Sequence, residues 1–201
     1  MNMIVLVSGN GSNLQALIDA EKAGRFKSRV AAVVSDRAGV FALERAKNAG
    51  IPAFTEEPDK SLPKEERPLE LSNRILRIAE ARGAGLIVLA GFLSILRGKI
   101  ISEYSGRIIN LHPALLPKYG GNGMYGERVH RAVLAAGESE SGCTVHLVDE
   151  GTDTGPVLLQ RKVPVQRRDT AETLAEKIHR EEHIAIVDAV LMMERQWKNG
   201  I

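Results

Sequence analysis

Residues 3–7 form an unbroken apolar run, Met-Ile-Val-Leu-Val, that passes straight into Ser8-Gly9-Asn10-Gly11-Ser12-Asn13 and then into helical periodicity at residues 14–23. A buried strand feeding a helix through a glycine turn is half of a βα unit, and the chain repeats it. Further β-branched and apolar runs at residues 30–35, 86–90 and 107–111, with a weaker one at 51–55, alternate with helical patterns at 40–49, roughly 64–82 and 97–104. That order predicts a doubly wound, mainly parallel sheet for the first half.

Beyond Pro113 the pattern changes to a glycine-rich stretch at 119–126, a helix at 127–136, alternating strands at 142–148 and 156–164, and a long final helix at about 170–197. Asp169 is the expected N-cap of that helix, with Glu172 completing a capping box. The expected fold is therefore α/β, with an antiparallel C-terminal portion. One domain over residues 1–201 is the economical division, about 1–100 binding a nucleotide or phosphate and about 101–201 carrying catalysis. The charged, proline-containing stretch 56–68 reads as a mobile surface connection.

At 201 residues and 44% hydrophobic content the chain can bury a core unaided. A formal charge of +2 is too weak a field to argue for nucleic-acid or membrane binding, and 4% aromatic content offers no stacking platform. The lone Cys143 excludes an intrachain disulfide and any multi-thiolate zinc site. The start lacks the basic flank and length of a secretion signal, and no apolar stretch approaches the ~18 residues that span a bilayer. A cytoplasmic protein is expected.

The first glycine loop presents backbone N–H groups at the positive end of a helix, which suits an anion. The dinucleotide fingerprint needs Gly or Ala where Leu14 stands, although Asp36 after the second strand keeps a nicotinamide dinucleotide in contention. The P-loop fails for want of Gly-Lys-Ser/Thr. A phosphomonoester fits better, with Ser12 and Asn13 as additional side-chain donors; a bare strand-to-helix turn competes with it.

Asn110-Leu111-His112-Pro113 ends a strand, and the period of two delivers Asn110 and His112 to one face at the carboxyl edge where open α/β sheets bind ligands. An amide donor beside an imidazolium suits an oxyanion formed at an attacked carbonyl carbon. Asp153, in the glycine-flanked turn 151–156, is the carboxylate expected to favour protonated His112. A capping Asn, an interfacial His and a turn Asp account for the spacing equally well.

His179-Arg180-Glu181-Glu182-His183 matches a zinc-protease pattern, but Glu194 is the only glutamate downstream to serve as a third ligand, so a polar cap near the cleft is expected and no metal. There is no Gly-x-Ser-x-Gly. Cys143 reads as core, His130 and His146 have no evident partners, and Arg161, Lys162, Arg167 and Arg168 read as a solvated edge.

Together Ser8 to Asn13, Leu89-Ala90-Gly91-Phe92, Asn110 to Pro113 with Leu115-Leu116-Pro117, Cys143-Thr144-Val145-His146, Asp153-Thr154-Gly155-Pro156 and Glu182-His183 resemble the phosphoribosylglycinamide formyltransferase family, in its order and over nearly the whole chain. The resemblance implies a Rossmann-like formyltransferase fold whose second half handles the formyl-folate. It implies formyl transfer from 10-formyltetrahydrofolate, as co-substrate, to the amine of glycinamide ribonucleotide in purine synthesis. Neither metal nor nicotinamide takes part, and the chain acts as a monomer or homodimer with small molecules as its partners.

By the same resemblance Gly11, Ser12 and Asn13 hold the phosphate, and His179 and Glu182 face the ribonucleotide. Arg67, Leu93, Ser94, Ile95, Leu96, Asn110 and the loop Asp149, Glu150, Gly151, Thr152 and Asp153 contact the folate. His112 donates a proton, Asn110 polarises the formyl oxygen, and Asp153 raises the pKa of His112. Ser94 stands where many members carry Arg, and the 119–126 loop is longer than in the shortest members. The alternatives are another formyl-folate enzyme, a hydrolase or a tRNA formyltransferase, whose extra domains the chain has no room for. A nucleotide-binding module without chemistry is a third, and a dehydrogenase a fourth.

Overall fold

The structure is a computed structural model and describes residues 1–198. The elements are β1 (Asn2–Val7), α1 (Ser12–Lys22), β2 (Arg29–Ser35), α2 (Phe41–Asn48), β3 (Ala53–Thr55), α3 (Arg67–Ala81), β4 (Ala84–Leu89), α4 (Lys99–Glu103), β5 (Ile108–His112), α5 (Glu127–Ala135), β6 (Glu140–Leu147), β7 (Val157–Pro164) and α6 (Ala171–Lys198). They follow the expected order. Residues 199–201, which the expected 1–201 domain includes, lie outside the described residues.

One seven-stranded sheet runs β3-β2-β1-β4-β5-β6-β7, with β1 to β5 parallel and β6 and β7 antiparallel. The alternation of side chains along each strand splits the core in two. Met3, Val5, Val7, Val33, Leu86 and Val88 pack under α1, α2 and α6, while Ile4, Leu6, Val34, Ile87 and Leu89 pack under α3 and α4. Strands covered on both faces read as continuous apolar runs, which is why β1 is so plain in the sequence.

The sequence order of strands reverses between β1 and β4, and a crevice opens at their carboxyl ends. The two loops are tied there: the Ser8 N–H donates to the Gly91 carbonyl (3.0 Å) and the Leu93 N–H to Ser8 Oγ (2.8 Å). β4 starts two residues before the expected run because Gly85 is part of it. A Cβ at Gly85 would stand 3.2 Å from the Trp197 ring, so the strand takes glycine where α6 lies across it.

Two expectations are corrected. The first turn of α6 is closed by Thr170 and Thr173, the N–H of each donating to the hydroxyl of the other at 2.9 and 3.3 Å. Asp169 instead binds Lys177 Nζ (2.7 Å) and the Gln166 N–H (2.7 Å). The 56–68 stretch is tethered along α3: Arg74 bonds Glu56 (2.7 Å) and Glu70 (2.9 Å), while Arg67 donates to the carbonyls of Leu62 and Lys60, both at 2.9 Å.

Candidate active site

β5 carries Asn110 and His112 to the crevice, and the register of β6 sets His146 opposite Asn110 and Thr144 opposite His112. Thr144 Oγ1 donates to the Ala114 carbonyl (2.6 Å) and accepts the Leu116 N–H (3.0 Å), which turns the chain sharply after Pro113. The β6–β7 connection folds back on β6 through Gly155, where a Cβ would collide with the Leu147 carbonyl. This brings Asp153, in the left-handed region at φ 59°, over the end of β5.

Asp153 Oδ2 lies 3.5 Å from His112 Nδ1 and accepts the Gly121 N–H at 3.0 Å. Its Oδ1 lies 3.3 Å from Asn110 Nδ2 and 3.5 Å from His146 Nε2. The other nitrogen of His112, Nε2, is 2.8 Å from the Tyr119 carbonyl. Burial lowers the His112 pKa by more than Asp153 and the Tyr119 carbonyl raise it, so the imidazole sits below its ordinary value. Asp153 does act upward on His112, the direction expected of it, but desolvation outweighs it and the net shift is downward. Burial raises Asp153, but His146, His112 and the Gly121 N–H outweigh it and hold the carboxyl below its ordinary value.

These side chains stand in the wall of a cavity of about 900 Å³. Gly11, Ser12 and Asn13 line it with His179, Glu182 and Ala175 of α6, and so do Leu93, Ser94, Ile95 and Leu96 with Asp149, Gly151, Thr152 and Asp153. Residues 121–126 line it as well. α1 has Gly11 as its N-cap, at φ 77°, without a side-chain cap, so the N–H groups of its first turn are free to meet an anion.

Glu182 is 4% exposed, and its Oε2 accepts from His179 Nδ1 (2.7 Å) and Asn13 Nδ2 (3.2 Å). Burial raises its pKa, but His179 and Asn13 outweigh it, leaving a carboxylate below its ordinary value; the same bond raises His179. One Nδ2–H of Asn13, expected as a donor to phosphate, thus joins the first loop to α6, and the residue lines the cavity. The pairing also makes the His-x-x-Glu-His pattern a polar cap. Among the described residues, no group of three or more His, Cys, Asp or Glu is placed to hold a metal ion.

Arg67 and Glu150 do not line the cavity; Arg67 faces the 60–62 turn and the Glu150 carbonyl accepts from Arg97 (2.5 Å). Asp36 accepts from Ser94 Oγ (2.7 Å) and does not line the cavity either, which removes the ribose contact that favoured a dinucleotide. Cys143 is fully buried, and burial pushes its thiol up to about 12. His130 and His146 do line the cavity. For His146 the signal lay in the alternation of β6, which puts it on the same face as Thr144.

An open α/β sheet that gathers an amide, an imidazole and a carboxylate beside the carboxyl ends of its parallel strands has the groups of an enzyme active site. Residues 1–190 match the family described as Formyl transferase, and the chain belongs to that family. It is 43% identical over 183 residues to the Escherichia coli phosphoribosylglycinamide formyltransferase, covering 91% of this chain and 82% of that one. It is 42% identical over 191 residues to the Drosophila melanogaster trifunctional purine biosynthetic protein adenosine-3, covering 94% of this chain but spanning only 14% of the insect protein. Glycinamide ribonucleotide transformylase 1 from Symbiobacterium toebii superposes with a TM-score of 0.89 at 37% identity, over 98% of this chain and 88% of that one.

Proposed function

We propose that the chain transfers the formyl group of 10-formyltetrahydrofolate to the amine of glycinamide ribonucleotide, a step of purine biosynthesis. The observation that carries this reading is that Asp153 reaches both Asn110, at 3.3 Å, and His112, at 3.5 Å, in the wall of a cavity that the anion-ready terminus of α1 also lines. The phosphate takes the N–H groups at Gly11, Ser12 and Asn13, and the ribose lies toward His179 and Glu182. The pterin lies along Leu93, Ser94, Ile95 and Leu96 under the loop 149–153.

The neutral amine attacks the formyl carbon. Negative charge grows on the formyl oxygen, where the Asn110 amide donates to it and that charge, added to Asp153, draws His112 toward its protonated form. Asp153 accepts a proton from the attacking nitrogen, protonated His112 gives one to the folate nitrogen and is recharged from Asp153, and the bond from that nitrogen to carbon breaks as the oxyanion closes to the carbonyl. No covalent enzyme intermediate is needed, because holding the two reactants together lowers the barrier by up to ~7–11 kcal/mol.

The reading includes a single cytoplasmic domain, monomeric or homodimeric, without metal, nicotinamide or nucleic acid. No helix among the described residues is long and apolar enough to cross a membrane. The test offers the purified protein 10-formyltetrahydrofolate with glycinamide ribonucleotide, water alone or initiator methionyl-tRNA as acceptor. Turnover with the ribonucleotide alone is expected. Formate release without acceptor would identify a hydrolase, and binding without turnover a nucleotide sensor.

A further inference from the structure

The chemistry above leaves His146 without a role, although it lies in the cavity wall, 2% exposed and directly opposite Asn110. Its Nδ1 is 2.8 Å from the Leu147 carbonyl, which can only accept, so Nδ1 carries the proton. Nε2 of the neutral ring is then an acceptor, and Nδ2 of Asn110, which can only donate, stands 3.0 Å from it. The bonds run in one sense, from Asn110 through His146 to the Leu147 carbonyl.

A carboxamide has a donor side and an acceptor side of nearly equal shape, so packing alone does not choose between its two orientations. An oxyanion needs the donor side. With one Nδ2–H on His146, the second faces Asp153 Oδ1 at 3.3 Å in the cavity wall, from where it passes to the formyl oxygen when that oxygen is bound beside it. We infer that His146 is a positioning residue that holds the Asn110 amide with its N–H toward the formyl oxygen. The inference rests on the transfer reading above.

Asp153 and His112 are the charged or titratable groups that compete for this arrangement. The other tautomer of His146 would direct Nε2–H to Asp153 Oδ1, at 3.5 Å, and would oppose the Asn110 NH2, turning the amide over. Nε2 stands closer to Asn110 Nδ2, at 3.0 Å, than to Asp153 Oδ1, at 3.5 Å.

Nitrogen-15 NMR of the full chain at neutral pH reads the arrangement without any turnover. The expected result is an Nδ1–H tautomer at His146 and a through-hydrogen-bond coupling between its Nε2 and Asn110 Nδ2; a proton on Nε2 would overturn the inference. In the transfer assay His146→Leu should lower kcat by ~10- to 100-fold, a part of what one oxyanion donor supplies, with both KM values within about threefold. His146→Gln, whose Oε1 can accept from Asn110, should recover most of that loss. Unchanged kcat in a folded His146→Leu protein, or a loss confined to KM, would contradict it. A wild-type protein that transfers no formyl group would sink the transfer reading, while the coupling would still decide what His146 does to Asn110.

Discussion

The carboxylate of Asp153 spans Asn110 and His112, with Oδ1 3.3 Å from the Asn110 amide nitrogen and Oδ2 3.5 Å from His112 Nδ1. One anion thus faces both groups proposed to hold the oxyanion. Asp153→Asn removes the charge that raises the His112 pKa and the base that takes the amine proton, so kcat should fall ~100- to 1,000-fold. Affinity for the ribonucleotide, measured by calorimetry, should change by less than about threefold, because the phosphate site proposed at the start of α1 does not include Asp153.

Glu182 joins the first loop to the last helix through Asn13 and His179. Glu182→Gln keeps the shape and removes the charge, at a cost of about one charge-assisted hydrogen bond, ~1.5 kcal/mol. The KM for the ribonucleotide should rise about tenfold while the KM for the folate is unchanged. Equal effects on both would place Glu182 outside the ribonucleotide end.

Gly11 is required for two reasons: its φ is +77°, and a Cβ there would stand 2.7 Å from the Ala42 Cβ. Gly11→Ala should lose ~1–3 kcal/mol in urea unfolding and weaken binding of inorganic phosphate. Retention of both would show that the turn tolerates a side chain.

Stability should fall on acidification. Burial lowers the pKa values of His112, His130 and His183 below 6.5, so the unfolded chain binds more protons just under that pH. Their contribution is fully present above 6.5 and is lost as pH falls through the lower folded values. His179, raised by its bond to Glu182, works the other way: its contribution is present below 6.5 and lost as pH rises through its folded value. His112 and His130 are the more deeply buried, so the urea midpoint should drop between about pH 7.5 and pH 5, and His130→Gln should flatten that slope.

The parallel strands were legible because a strand covered on both faces must be continuously apolar, as residues 3–7 are. Asn110 and His112 were legible as a pair because strand period is local. The Asn110–His146 pairing was not, since it depends on the register between two strands joined through the 119–126 loop and α5. The net shift of His112 also escaped, because Asp153 can be named from a motif whereas burial belongs to the whole fold. At α6, Asp169 and Thr170 are both competent caps, and the salt bridge to Lys177, two turns into the helix, takes Asp169 out of the cap. Arg67 begins α3 with Pro68 in the first turn, and its guanidinium turns back to the 60–62 carbonyls and away from the cavity.

The central claim is direct formyl transfer to the ribonucleotide at Asn110, His112 and Asp153. Its most direct test is a single-turnover rapid-quench experiment with 10-formyltetrahydrofolate and glycinamide ribonucleotide, run side by side on the wild-type protein and Asn110→Ala. The predicted result is formylated ribonucleotide from the wild type, with no formyl-enzyme intermediate, and a rate at least about 100-fold lower in the variant. Equal rates in the two proteins, or formate in place of formylated ribonucleotide, would contradict it.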